Sequence, residues 1–118
     1  MLAVEVCGSL GLTAATFRSP ATFLSRFTST APRVVVLDWR LERDVGAGVF
    51  MALRHRFALV PIVCWTAVPS SSLPDMVASD GRTRVVQKTS GVDAFESALR
   101  WASDLASATP NELRGANA

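Results

Sequence analysis

Several short apolar runs in the chain have the pattern of buried β-strands. Arg33–Leu37 contains three consecutive valines, and Pro61–Trp65 is a second run of the same kind. Arg84–Gln87 is a shorter copy, and Leu12–Phe17 is a fourth candidate. A strand that is apolar on both faces is typical of a parallel sheet that helices cover on both sides. The runs therefore predict such a sheet.

Helical patterns lie between these strand-like runs. Ser19-Pro20 has the form of an N-cap followed by the first residue of a helix. A second helix is expected to begin at Gly46 or Gly48, and a loop with a short helix is expected around Leu73–Ala78. Strands that alternate with helices imply right-handed crossovers, so the sequence predicts an α/β fold.

The clearest helical pattern follows Ser90. Ser90 and Asp93 have the spacing of a capping box, in which each side chain accepts a hydrogen bond from the other residue's backbone N–H. Behind them, apolar residues recur at helical spacing while the charged residues fall outside the stripe. The stripe consists of Val92, Phe95, Leu99 and Ala102.

The first eleven residues fit two structures. Apolar residues at every fourth position predict a helix over Met1–Gly11, with Gly11 as its C-cap. Alternatively, Leu2–Val6 is a strand that turns back and pairs antiparallel with Leu12–Phe17. The residues alone leave both interpretations open.

Length and composition narrow the class of protein. The chain has 118 residues, of which 49% are hydrophobic and 19% charged, which is a globular composition and excludes disorder. We expect one domain over residues 1–106 and a flexible tail over residues 107–118. The net charge of +2 is too weak to indicate nucleic-acid binding. The absence of a long apolar run or a basic leader predicts a cytoplasmic protein without a membrane partner.

Cysteine and histidine are too few for several kinds of site. Cys7 and Cys64 form neither a disulfide framework nor a metal-binding pair, and we expect buried free thiols. His55 is the single histidine, which excludes a site made of several histidines. An enzyme with Cys64 as its nucleophile is a weak hypothesis, because no base accompanies the thiol in the sequence.

Three chemically distinct side chains follow the three clearest strand-like runs. Asp38 follows the first run, Thr66 the second and Lys88 the third. Ligands of open α/β sheets bind outside the carboxyl ends of the strands. We therefore expect an acid, a hydroxyl and an amine to meet at one edge of the sheet.

This ordered set resembles the receiver domain of two-component response regulators. The sequences VVVLDWRL, PIVCWTA and VVQKTS carry the likeness, and Thr66 and Lys88 are 22 residues apart, a spacing that fits the family. The likeness covers roughly Leu10–Ala106. It implies a flavodoxin-like doubly wound parallel sheet, whose first strand would fall before Met1. A sheet without that strand would expose unpaired edges, so a homo-oligomer is a further expectation.

The resemblance gives each of the three residues a role. Asp38 would accept a phosphoryl group from the phosphohistidine of a histidine kinase or phosphotransfer protein. Lys88 would supply a positive charge, and Thr66 a hydroxyl that bonds a phosphoryl oxygen. With twelve residues after Ala106, the chain is expected to be a stand-alone receiver that is not an enzyme.

The sequence departs from the family pattern mainly in its acidic residues. The resemblance implies Mg²⁺ held by Asp38, by the backbone carbonyl of Arg40 and by an acidic pair, but that pair would lie before Met1. We therefore expect weak Mg²⁺ binding. Thr89 also stands where the family usually has proline, and Val85 where it has an aromatic switch residue. These departures favour an alternative, a degenerate receiver that binds a partner without phosphorylation.

Overall fold

The computed structural model describes residues 25, 32–39, 46–67 and 69–108. All except Ser25 belong to the second of two units into which the chain divides, Pro32–Ala118. This unit is an α/β structure around a parallel sheet with the strand order β1-β2-β3. The strands are β1 (Val35–Trp39), β2 (Ile62–Thr66) and β3 (Thr83–Gln87). The helices are α1 (Gly46–Arg56), α2 (Asp75–Ala78) and α3 (Val92–Ala108), with 3₁₀ turns at Ser70–Ser72 and Lys88–Ser90.

The strands begin and end at different residues from those that the apolar runs predict, because their bounds follow the hydrogen bonds between strands. β1 begins at Val35, whose N–H donates to the carbonyl of Pro61 at 3.0 Å. Pro61 has no N–H to donate, so the regular pairing of β2 begins one residue later, with Ile62 opposite Val35. At its other end β1 pairs with β2 as far as Trp39, opposite Thr66, and so contains Asp38, which the sequence had placed after the strand.

β2 is the central strand of the three, and its sequence explains why. Ile62, Val63 and Cys64 are each at most 1% exposed, so both faces of the strand are covered. Consecutive apolar residues with no polar face suit only such a position. The prediction of an α/β structure with a parallel sheet is confirmed for this unit, and burial on both faces is confirmed for β2.

Helices lie on both faces of the sheet. Register partners in neighbouring strands share a face, which places Arg84 on the same face as Val63. α3 covers that face, since the Arg84 guanidinium lies 4.6 Å from the ring centroid of its Trp101. On the other face, Arg54 of α1 donates to the hydroxyl of Thr83 at 3.3 Å.

α3 has the predicted buried stripe but begins differently. Phe95, Leu99 and Ala102 are buried as expected, whereas Val92 is 41% exposed. Gly91 stands at the cap position, because its carbonyl accepts the N–H of Phe95 at 3.4 Å. The predicted capping box at Ser90 is therefore wrong, since Ser90 belongs to the preceding 3₁₀ turn.

Several expectations lie outside the described residues. These are the two interpretations of Met1–Gly11, the strand at Leu12–Phe17, the helix after Ser19-Pro20, and residues 109–118 of the expected tail. The first two residues of that tail, 107 and 108, are helical and belong to α3, so the tail was predicted to begin too early. Within the described part of the chain, none of the helices has the length and apolar character to cross a bilayer.

Arg54 joins the amino ends of two strands to the end of α1. Its Nε and Nη2 donate to the carboxylate of Asp80 at 2.9 and 3.3 Å. Nη1 donates to the carbonyls of Phe57, Ala58 and Val60 at 3.0, 3.1 and 2.7 Å, just before β2. The Arg54 and Asp80 side chains are only 19% and 15% exposed, so these bonds are largely shielded from water.

We expect Arg54→Met to lower the free energy of unfolding by about 2–4 kcal/mol, because it removes the cation that pairs with the shielded Asp80 and the donor to several carbonyls, while the Asp80 carboxylate keeps the backbone N–H of Arg82. Urea denaturation measures the loss. Arg100→Met is the matched control, since Arg100 is 62% exposed and its partner among the described residues is Glu96, one helical turn away. Its effect should stay below about 0.5 kcal/mol. Equal losses in the two variants would contradict a structural role for the Arg54 network.

Candidate functional site

An ion pair at the carboxyl edge of the sheet brings together two of the three predicted site residues. Lys88 Nζ lies 3.1 Å from Asp38 Oδ1. The side chains are 34% and 42% exposed, so both can be reached from solvent. An acid and an amine that are 50 positions apart in the sequence thus form one polar group on the surface.

The parallel sheet explains how the two residues meet. Asp38 is the penultimate residue of β1, and its register partner in β2 is Trp65. Trp65 in turn pairs with Val86 of β3, and Lys88 follows the end of that strand as the first residue of a 3₁₀ turn. The long lysine side chain then spans the width of the central strand to reach the carboxylate.

Thr66, the third predicted site residue, is the last residue of β2. It pairs in register with Trp39 and Gln87, and its side chain is completely buried. Among the described residues, no buried side-chain nitrogen or oxygen lacks a hydrogen-bond partner, so the hydroxyl is satisfied. Thr66 directly follows Trp65, the register partner of Asp38, and successive side chains of a strand point to opposite faces, so the strand pairing does not bring the Thr66 hydroxyl onto the face of Asp38.

Aromatic side chains support the edge on which the ion pair lies. Trp39, next to Asp38, is only 5% exposed and belongs to the core. The ring centroid of Trp65 lies 4.4 Å from that of Phe95, with an interplanar angle of 55°. Phe95 is in the first turn of α3, so this aromatic pair joins the strand beside Asp38 to the helix after Lys88.

The described residues supply few oxygen ligands for Mg²⁺. The one carboxylate that the described residues place at this edge, that of Asp38, already faces the ammonium of Lys88. The carbonyl of Arg40 lies outside the described residues, and in the part that is described no three acidic, histidine or cysteine side chains cluster. Mg²⁺ takes octahedral oxygen ligands, so this donor set does not fit a strong site.

The remaining candidate chemistry of the chain lies elsewhere. Cys64 is buried and unpaired in the core of β2. Burial, and to a smaller extent the charge of Asp80, raise the pKa of its thiol to about 12, and the charge of Arg54 opposes both. Such a thiol is a poor nucleophile at neutral pH. His55 is exposed on α1, as expected for a surface histidine.

Comparison with known proteins found no matching family model, no matching curated protein and no matching solved structure.

We expect Asp38→Asn and Lys88→Met each to change the free energy of unfolding by less than about 1 kcal/mol, because a partly exposed ion pair contributes little stability. Thermal and urea denaturation measure the change. A loss comparable with that of Arg54→Met would instead identify the pair as part of the structural framework.

Cys64 should resist alkylation in the folded protein. At pH 8 a thiol with a pKa near 12 is ionised to roughly one part in 10⁴, and burial blocks access to the sulfur. Iodoacetamide labelling followed by peptide mass spectrometry separates Cys64 from Cys7. Rapid native labelling of Cys64, matching the rate in urea, would contradict this.

Proposed function

We propose that this chain is a stand-alone receiver domain of the flavodoxin-like class. In this proposal, Asp38 accepts a phosphoryl group from a histidine kinase or phosphotransfer protein. The observation that supports it most is the 3.1 Å contact between Lys88 Nζ and Asp38 Oδ1 at the carboxyl edge of a parallel sheet. A phosphoacceptor site needs at least a solvent-accessible carboxylate as the nucleophile and a cation at hydrogen-bond distance from it.

The transfer balances with the groups that the site holds. A carboxylate oxygen of Asp38 attacks the phosphorus of a phosphohistidine, the P–N bond breaks, and the imidazole leaves and takes up a proton. The product is an acyl phosphate on Asp38. Because the reacting phosphoryl group carries its charge on equatorial oxygens, Lys88 stabilises it electrostatically without a covalent step.

The weakness of the ion pair as a structural contact favours this proposal. With exposures of 34% and 42%, the two charges are partly solvated and lose little when they separate. Lys88 can therefore follow the phosphoryl oxygens outward when the carboxylate is esterified. Lysine suits this task because its ammonium is a compact charge on a flexible stem.

Thr66 is assigned the third role by its place at the end of β2. Its hydroxyl is buried and bonded before transfer. To donate to a phosphoryl oxygen it would exchange one hydrogen bond for another. That exchange costs little net free energy if the new acceptor carries negative charge.

A second candidate function is a partner-binding module that works without phosphorylation. The neutralisation of Asp38 by Lys88, with no further carboxylate beside it among the described residues, favours this candidate. The two functions differ in one measurable property, the reactivity of Asp38 towards a phosphodonor.

Incubation with acetyl phosphate should add one phosphoryl group to the intact protein, and borohydride trapping should locate it on Asp38. Asp38→Asn should abolish the adduct, while the matched control Asp93→Asn, an exposed aspartate on α3, should keep it. Lys88→Met should slow the reaction by on the order of 10²-fold, since it removes the stabilising charge. No adduct in the parent protein would favour the partner-binding module.

Mg²⁺ should have a weak effect on the folded protein. Titration of Mg²⁺ against tryptophan fluorescence is suitable because Trp39 and Trp65 flank Asp38. We expect no saturation in the low-millimolar range, because one ion-paired carboxylate is a poor ligand set. Tighter saturation that Asp38→Asn removes would show that further oxygen ligands complete the site.

A further inference from the structure

The backbone at Gly91 has a conformation that only glycine adopts readily. Its φ of 89° and ψ of 178° lie in a region that side chains exclude. A Cβ placed on Gly91 would have no atom within 4 Å, so the glycine is required by the backbone angle and not by lack of space. Backbone outliers of this kind cluster at functional sites and switch regions.

Gly91 connects the ion pair to α3. Its N–H donates to the carbonyl of Lys88 at 3.4 Å, which closes the 3₁₀ turn that begins with the site lysine. Its carbonyl accepts the N–H of Phe95, which opens the helix. The direction in which the turn enters α3 is therefore set at this one residue.

α3 returns to the site through its first turn. Phe95, only 1% exposed, packs against Trp65 at 4.4 Å, and Trp65 is the register partner of Asp38. Asp38 is thus connected to α3 in two ways, one through the ion pair with Lys88 and the backbone of Gly91, the other through the register pairing with Trp65 and the Trp65–Phe95 ring contact. A displacement of the Lys88 backbone is transmitted to the start of α3 through the two backbone hydrogen bonds of Gly91.

We propose that Gly91 is a hinge that couples the Asp38–Lys88 ion pair to the packing of α3. The physiological trigger, phosphorylation of Asp38, rests on the proposed function, whereas the coupling itself is a property of the ion pair. When Lys88 moves away from the Asp38 carboxylate, the 3₁₀ turn re-aims the first turn of α3 against Trp65. Reciprocally, a change at the start of α3 alters how tightly Lys88 is held.

The first test changes Gly91 at the start of α3 and measures the reactivity of the Lys88 ammonium. Lys88 is the single lysine of the chain, so acylation by a small amine reagent, read by peptide mass spectrometry, reports on this ammonium. Gly91→Ala should accelerate its acylation about five-fold, because the strained backbone re-aims the turn and releases Lys88. Gly81→Ala adds the same methyl group in open space without a positive φ, and should leave the rate unchanged.

The second test removes the ion pair, leaves Gly91 intact, and measures amide hydrogen exchange in α3. Asp38→Asn and Lys88→Met should each raise amide hydrogen exchange in Val92–Leu99 by about five-fold, with exchange in β2 unchanged. If Gly91→Ala fails to fold, these two variants still decide the question. Unchanged α3 exchange in both, or equal acylation rates in Gly91→Ala and Gly81→Ala, would overturn the hinge.

The acetyl phosphate experiment keeps the two proposals separate. Coupled changes without any phosphoryl adduct would refute phosphorylation and leave the hinge standing. A phosphoryl adduct on Asp38 without a change in α3 exchange would support phosphorylation and refute the hinge.

Discussion

The guanidinium of Arg54 fixes the framework on which the candidate site is built. It ties the end of α1 and the chain before β2 to Asp80, and it reaches the carbonyl of Arg82 at 3.4 Å, just before β3. The amino ends of β2 and β3 are thereby held in a fixed relation. Because the strands are parallel, register at one end determines which residues meet at the other. The network thus supports the β2–β3 pairing that carries Lys88, while the β1–β2 pairing positions Asp38.

The Arg54–Asp80 and Asp38–Lys88 ion pairs lie near opposite ends of the strands, and each suits a different role. Arg54 and Asp80 are shielded, held by two hydrogen bonds and surrounded by carbonyl acceptors, so that separating them leaves buried groups unsatisfied. Lys88 and Asp38 share one contact at a partly solvated edge. The first pair suits a permanent constraint, while the second can be opened at small cost. A site whose charge changes needs strands that are held rigidly at one end and can adapt at the other.

Local patterns predicted the elements well, because burial leaves a signature in the sequence, a continuous apolar run in a strand covered on both faces and a helical period in a helix covered on one. The valines of β1, the apolar run of β2 and the stripe of α3 all have that signature. The proximity of Asp38 and Lys88 also followed from sequence, since it needs only the order of the strands.

What the sequence could not provide depends on partners far apart in the chain. Nothing near Arg54 indicates that its acceptors include Asp80, which is 26 residues away. The inclusion of Asp38 in β1 depends on its pairing with Trp65 of β2, and the start of α3 on the backbone angle of Gly91. In both cases the residue type was visible, but its consequence appears only when the neighbouring strand or turn is in place.

The Arg54 network also bears on how the sheet forms. Its ligands come from the residues directly after α1 and from the turn before β3, so it closes a loop of moderate length that contains the whole of β2 and α2. The entropy of closing a loop grows only slowly with its length. The network can therefore form as soon as β2 and β3 have paired, and it makes their joining cooperative. Loss of the Arg54 side chain should therefore change the rate of the step in which β2 pairs with β3. That step precedes the contact between Asp38 and Lys88.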